Sequence, residues 1–133
     1  MKPAAFLWPV QVYWEDTDAG GVVYYANYLK FLERCRSEWL RGLGVHQEAL
    51  RLTGQLFVVS HVDANYLKPA RLDDALTVSV SVAEARPASL VFAQSIWRGD
   101  EELLRARVRA ACVDAAQFKP RRIDPDLIQR LTA

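Results

Sequence analysis

The chain has 133 residues, 51% hydrophobic and 25% charged, and its 17 basic residues nearly balance 16 acidic ones to leave +1. That is the length of about one domain, here taken as residues 1–133, with an ordinary globular composition and enough chain to bury a core without a metal or disulfide staple. It excludes extensive disorder and a broad positive field for DNA or RNA, so no nucleic-acid partner is expected.

Taken in chain order, Met1–Val10 carries one lysine and a short apolar stretch. Glu15, Asp16 and Asp18 follow directly, so a signal-peptide core is not expected. No apolar run approaches the roughly 20 residues that span a bilayer, and no membrane span is expected. Residues 9–15 (PVQVYWE) alternate and predict a short strand. The acidic loop DTDAGG, residues 16–21, comes next, its glycines permitting backbone angles that other residues avoid.

From Asn27 to Leu43 the period changes. Tyr28, Leu32, Cys35, Trp39 and Leu43 recur at spacings of three and four, one face of a helix about 25 Å long. Asn27 reads as its N-cap and Gly44 as its stop. Leu56–Leu67 reads as a strand. Leu76, Val78, Val80 and Val82 alternate with Thr77, Ser79 and Ser81, a half-buried antiparallel strand. Arg86-Pro87-Ala88 breaks it, residues 89–97 form the next strand, and Arg98-Gly99-Asp100 is a hairpin signal. Residues 102–114 alternate again, with Arg105, Arg107 and Arg109 on a solvated face. The tail holds Lys119-Pro120-Arg121-Arg122 and a short helix from Asp124. The order predicts an α+β domain: a strand, a long helix, then four strands in a meander.

The densest polar cluster is Glu15–Gly21. It does not fit a calcium loop. With Asp16 first, the fifth position is Gly20 and the twelfth is Asn27 rather than Glu. No GxxxxGK[ST] phosphate loop is present. His46 and His61 are not spaced as metal ligands, so no metal or other cofactor is expected. Cys35 and Cys112 lack a CxxC and read as small buried hydrophobes, in keeping with a reducing cytoplasm. A carboxylate just before a helix N-terminus is half of an acyl-transfer site, because the helix end offers unpaired N–H groups and partial positive charge.

The stretch VYWEDTDAGGVVYYANYLKFLERCRSEWL resembles the YbgC-type acyl-CoA thioesterases, which group with 4-hydroxybenzoyl-CoA thioesterase in the hotdog-fold superfamily. The likeness continues through LKPARLDDAL, SLVFAQSI and CVDAAQFKPRRI and so covers nearly the whole chain. It implies a hotdog fold: a curved antiparallel five-stranded sheet wrapped around one long helix. It implies a homo-oligomer, a dimer joined edge to edge or a tetramer, with active sites at the dimer interface.

By position, the resemblance makes Asp18 the catalytic carboxylate, acting as nucleophile or base, and Asp16 a structural acid. Tyr25 falls where the family polarises the thioester oxygen with a backbone N–H. The chain departs from the YbgC pattern here, since that group carries His and the hydroxybenzoyl-CoA branch carries Tyr. An N–H donor survives the exchange, but an imidazole acid or base does not. Trp14 stands where many relatives have Tyr. Trp14 and Tyr24 are expected around the acyl group, and Arg86, Lys119 and Arg121 on the CoA phosphates.

The implied activity is hydrolysis of short-chain or aromatic acyl-CoA to free acid and CoA. A hotdog dehydratase is a weaker fit, because that chemistry needs a His paired with an acid. The alternative from another class is a partner-binding protein of the acyl-carrier-protein or Tol-Pal envelope system with little hydrolysis.

Overall fold

Largely alternating apolar and polar residues along 75–86, 89–98 and 101–114 build three long central strands, because successive side chains of a strand point to opposite faces. In the computed structural model, which describes residues 6–133, these are β3 (Ala75–Arg86), β4 (Ser89–Arg98) and β5 (Glu101–Asp114). Two-residue turns at Pro87-Ala88 and Gly99-Asp100 join them, and Gly99 takes the left-handed φ of 60° that its turn requires. Two edge strands complete the sheet: β1 (Phe6–Gln11) on β3 and β2 (Gln55–Tyr66) on β5. The order is β1-β3-β4-β5-β2, all antiparallel.

This corrects the expectation of a four-strand meander, which holds for β3–β4–β5 only. β2 lies at the far edge, and residues 67–74 carry the chain back across the end of the sheet to β3. That link is too long for a hairpin. Three strand spacings of about 4.8 Å are well within its reach. It is pinned along its length: the Leu67 and Lys68 N–H groups donate to Leu103 O, the Val23 N–H to Ala70 O, and the Val12 N–H to Asp74 O.

The helix read from Asn27 is α1 (Asn27–Gly42), packed on β1, β3 and β4. Its buried face holds Tyr28, Phe31, Leu32, Cys35, Trp39 and Leu40. Phe31 and Leu32 are fully buried together with Val78, Val80, Leu90 and Ile96 from the sheet. Each such side chain contributes about 1.5–3 kcal/mol of transfer free energy. Register shifts at Val59/His61, Val82/Glu84 and Ile96/Trp97 bend the strands around the helix. The result is the hotdog arrangement of the α+β class.

Three further readings need adjustment. The first strand ends at Gln11, and Trp14–Asp16 form a 3-10 turn instead of continuing it. Asn27 is not the N-cap; Ala26 is, and the Asn27 side chain turns back to Asp16. A short helix α2 (Gln47–Leu52) follows Gly44, where no element was expected; it buries no residue, so its sequence has no apolar stripe to read. The tail helix α3 (Pro125–Thr132) starts as expected, with the Asp124 side chain accepting from the Asp126 N–H at 3.0 Å. No helix among the described residues is long and apolar enough to cross a membrane. The leader-free reading of the N-terminus rests partly on residues 1–5, which lie outside the described residues. Cys35 and Cys112 are both buried and free.

Candidate active site

The segment from Tyr13 to Asn27 links β1 to α1 and folds around one buried carboxylate. Asp16 is 5% exposed. Its Oδ2 accepts the Tyr13 N–H at 2.9 Å and its Oδ1 accepts Asn27 Nδ2 at 3.0 Å. The Asp16 carbonyl also accepts the Tyr24 N–H at 2.9 Å. One residue therefore ties the start, the end and the far arm of the loop together. This is the structural role that the sequence reading gave it. A carboxylate so enclosed must be fully hydrogen-bonded, because an unpaired buried acceptor costs about 1–3 kcal/mol.

Residues 17–23 double back on themselves. Thr17 bridges Val23, the Asp18 N–H donates to Val22 O at 2.9 Å, and the Gly21 N–H donates to Asp18 O at 3.0 Å. Gly21 has φ +78°, which a side chain would strain. A Cβ at Gly20 would sit 3.2 Å from Asp18 Oδ1, so a side chain there would displace the carboxylate by a few tenths of an ångström. The Asp18 side chain is exposed at the tip. Its Oδ1 accepts the Gly20 N–H at 2.8 Å, which orients the carboxylate. Its Oδ2 has no partner among the described residues and remains available for chemistry. Asp18 shares a shallow hollow of about 490 Å³ with Trp14, Glu15, Thr17, Gly21 and Leu72.

On the other arm, Tyr24 and Asn27 close a turn through Asn27 N–H to Tyr24 O at 2.8 Å. Tyr25 and Ala26 occupy its two central positions, whose N–H groups a turn leaves unused. Neither N–H bonds to an acceptor among the described residues. They stand at the positive end of α1. The Tyr25 carbonyl accepts the Tyr66 hydroxyl at 2.9 Å, which helps to hold the peptide in place. Tyr66 in turn meets Tyr28 edge-on with ring centroids 5.4 Å apart, and the Tyr28 hydroxyl accepts the Ala70 N–H at 3.0 Å. Tyr28 is thus the core residue that its helical stripe predicts. The Tyr24 and Tyr25 rings lie 4.8 Å apart, and Tyr25 pushes the Tyr24 phenol above its ordinary value of 10.0, so it stays protonated at neutral pH.

Tyr66 and Asn27 are the supports that the sequence reading missed as such. Tyr66 faces Tyr25 only because β2 crosses to the edge beside β5.

The expected CoA residues gather elsewhere. Arg86 sits at the β3–β4 turn beside Glu84, with 3.4 Å between Nη2 and Oε1. The tail packs next to that turn, as the Ile123 N–H donates to Pro87 O and the Arg121 N–H to Cys112 O. Lys119 is exposed there, and Arg121 Nη1 reaches Thr53 O at 3.4 Å. Within one chain this basic group and Asp18 stand at opposite ends of β3, about 35 Å apart along a strand of that length.

Trp14 is 80% exposed, Tyr25 64% and Tyr13 61%, so a broad aromatic surface surrounds the loop. Beside it, β2 pairs on one side only, and Val59, Val62, Tyr66 and Leu67 are all exposed along it. No group of His, Cys, Asp or Glu among the described residues is arranged to hold a metal ion.

A family model described as the thioesterase superfamily matches residues 20–105. The chain is 44% identical over 129 residues to the acyl-CoA thioester hydrolase YbgC of Escherichia coli O6:H1, covering 96% of each protein. It is 47% identical over 121 residues to the acyl-CoA thioesterase YbgC of Haemophilus influenzae, covering 90% of this chain and 89% of that one. Among solved structures, a probable thioesterase from Bartonella henselae superposes with a TM-score of 0.85 at 37% identity, covering 90% of this chain and 100% of that one.

Proposed function

The chain belongs to the thioesterase superfamily, and from that premise we propose that it hydrolyses acyl-CoA, with Asp18 as the reacting carboxylate and the Tyr25 backbone N–H as the oxyanion donor. The observation that carries this reading is an oriented carboxylate with a free Oδ2 on one arm of a loop whose other arm presents an unused N–H at a helix start. The overall change is RCO–S–CoA plus water to RCOO⁻, H⁺ and CoA–SH. As the tetrahedral intermediate forms, negative charge moves onto the thioester oxygen. A fixed N–H at the end of α1 stabilises that charge without reorganisation, and loss of one such donor typically costs about 100- to 1,000-fold in rate.

Two routes use the same carboxylate. As a nucleophile, Asp18 Oδ2 attacks the thioester carbon and expels the CoA thiolate, and water then cleaves the mixed anhydride. As a base, it takes a proton from the attacking water. A single turnover in H₂¹⁸O identifies the nucleophilic route when water opens the anhydride at its aspartyl carbonyl, which leaves ¹⁸O on Asp18 and sends an Asp18 ¹⁶O into the acid; the base route puts ¹⁸O into the acid and none on Asp18.

A homo-oligomer completes the site in this reading. The free edge of β2 has a physical motive to pair with a second copy, and a dimer or a tetramer built on it covers the exposed aromatics. Burial would also raise the reactivity of Asp18 by stripping water from it. Since Arg86, Lys119 and Arg121 lie at the opposite end of their own sheet, they serve a substrate held at another copy's Asp18. Arginine suits that task through paired N–H contacts to phosphate. Trp14 and Tyr24 flank the thioester end, and a short-chain or aromatic acyl group fits the apolar surroundings.

The test is thiol release from acetyl-, propionyl-, butyryl-, hexanoyl-, palmitoyl-, benzoyl- and 4-hydroxybenzoyl-CoA, with wild type beside Asp18→Asn. Turnover by wild type and a loss of about 100-fold or more in the folded variant is the expected result. Equal rates would remove Asp18 from the chemistry.

A further inference from the structure

A second polar feature lies half-buried on α1 and is not used by the chemistry above. Between α1 and the inner face of β2 runs a groove that begins at Leu29 and Lys30, in the first turn of α1, and passes Val62. It continues, sharing Glu33, Arg36 and Val59, into a cavity of about 270 Å³ closed by Phe57, Leu90 and Leu127. A dry cavity of roughly 150 Å³ suffices for benzene, so this one accommodates a short chain or a ring.

Arg36 stands where the two spaces meet. Arg36 is half-buried, and desolvation pulls its guanidinium below its ordinary value against the opposing attraction of the Glu33 carboxylate. The guanidinium lies over the Phe92 ring, 6.0 Å from the centroid. Nη1 donates to Gln94 Oε1 at 2.9 Å. Gln94 is itself buried and fixed, with Nε2 donating to Leu32 O at 3.1 Å and to Ser79 O at 3.4 Å. Only one guanidinium nitrogen is thereby used. Nε and Nη2, which form one fork-shaped edge, have no acceptor among the described residues. They are not sealed in, because no buried side-chain nitrogen or oxygen of the described residues lacks a partner. No carboxylate forms an ion pair with Arg36 among the described residues, although Glu33 lines the same groove.

The unspent Nε–Nη2 edge opens onto the groove, and a guanidinium fork held in place by Gln94 matches a carboxylate. We infer that the groove along α1 receives the acyl group, and that Arg36 selects acyl chains ending in a carboxylate, the ω-carboxyacyl thioesters, over plain alkyl chains of equal length. This rests on the hydrolase reading given above. Distance agrees with it. The Arg36 Cα lies about 14 Å along α1 from that of Asn27. Its side chain leans back to the level of the Leu32 carbonyl, as helical side chains do. A chain of intermediate length that starts at the Tyr25 N–H therefore ends near the fork.

The experiment compares kcat/KM for adipoyl-CoA and hexanoyl-CoA, which differ only in the terminal carboxylate, in wild type, Arg36→Met, Arg36→Lys and Glu33→Gln. The expected wild-type preference for adipoyl-CoA is about tenfold or more. It vanishes in Arg36→Met, is partial in Arg36→Lys, which keeps the charge but not the fork, and grows in Glu33→Gln. The readout is a ratio within each protein, so a general loss of activity cancels, and the wild-type ratio stands even where a variant fails to fold. Equal or better use of hexanoyl-CoA by wild type overturns the inference and leaves the hydrolase reading intact, as does an unchanged ratio in folded Arg36→Met. Absence of thiol release from every thioester in the wider panel overturns both.

Discussion

Asp16 and Asp18 are two positions apart in one acidic loop, and they live in opposite environments. Asp16 is sealed under the loop and gives both oxygens to the protein's own N–H donors. Asp18 stands at the rim, aimed by a single N–H from Gly20, with one oxygen free. The difference teaches that a carboxylate's role here follows from how many of its acceptor sites the chain itself consumes. The buried acid holds the shape, and the exposed one has capacity left for a substrate.

The sharpest way to break that comparison is to neutralise each acid in turn. Asp18→Asn should lower kcat by about 100-fold or more and leave the thermal midpoint within a degree or so of wild type. A large loss of stability instead would make the rim acid structural too. Asp16→Ala should do the opposite. It strands the Tyr13 N–H and the Asn27 side-chain amide in a closed space, which predicts a loss of about 2–3 kcal/mol in urea unfolding. Asn27→Ala removes one of the same two bonds and should cost about 1 kcal/mol.

The contrast extends to polar groups outside the loop. Arg86, Lys119 and Arg121 have exposed or partly exposed charges to offer. Alanine at these positions should raise KM for acyl-CoA several-fold with little change in kcat, and should not affect an acyl-pantetheine substrate that lacks the nucleotide phosphates. An equal rise for both substrates would mean that the cluster does not read phosphate.

Cys35 is the buried counterpart, with its thiol donating to Val78 O at 3.5 Å. Burial pushes that thiol from 9.0 up to about 12. The thiolate is therefore scarce in the folded chain, and a thiolate-directed reagent at pH 8 should label Cys35 at least about 100-fold more slowly than in the urea-unfolded chain. The thiol's contribution to stability is intact below 9.0 and is lost as pH rises from there toward about 12, because the unfolded thiol ionises first.

Much of this was legible in the residues alone. The stripe Tyr28, Leu32, Cys35, Trp39 determines a helix with one buried face, and the alternation at 76–82 and 102–112 determines half-buried strands, because side-chain period is a local property of the backbone. The acidic loop before a helix start was legible from the same stretch, whereas separate roles for Asp16 and Asp18 came only from the family resemblance. Strand order was not. Nothing local in 55–66 says that it pairs with β5 at the sheet edge instead of with its neighbour in sequence, since that choice depends on how far residues 67–74 can travel. From that one tertiary decision follow the Tyr66 bond to Tyr25, the free β2 edge, and the groove that ends at Arg36. The Arg36–Gln94 bond joins residues from a helix and a strand that periodicity describes separately, and only packing them together leaves an arginine with two of its three guanidinium nitrogens unspent.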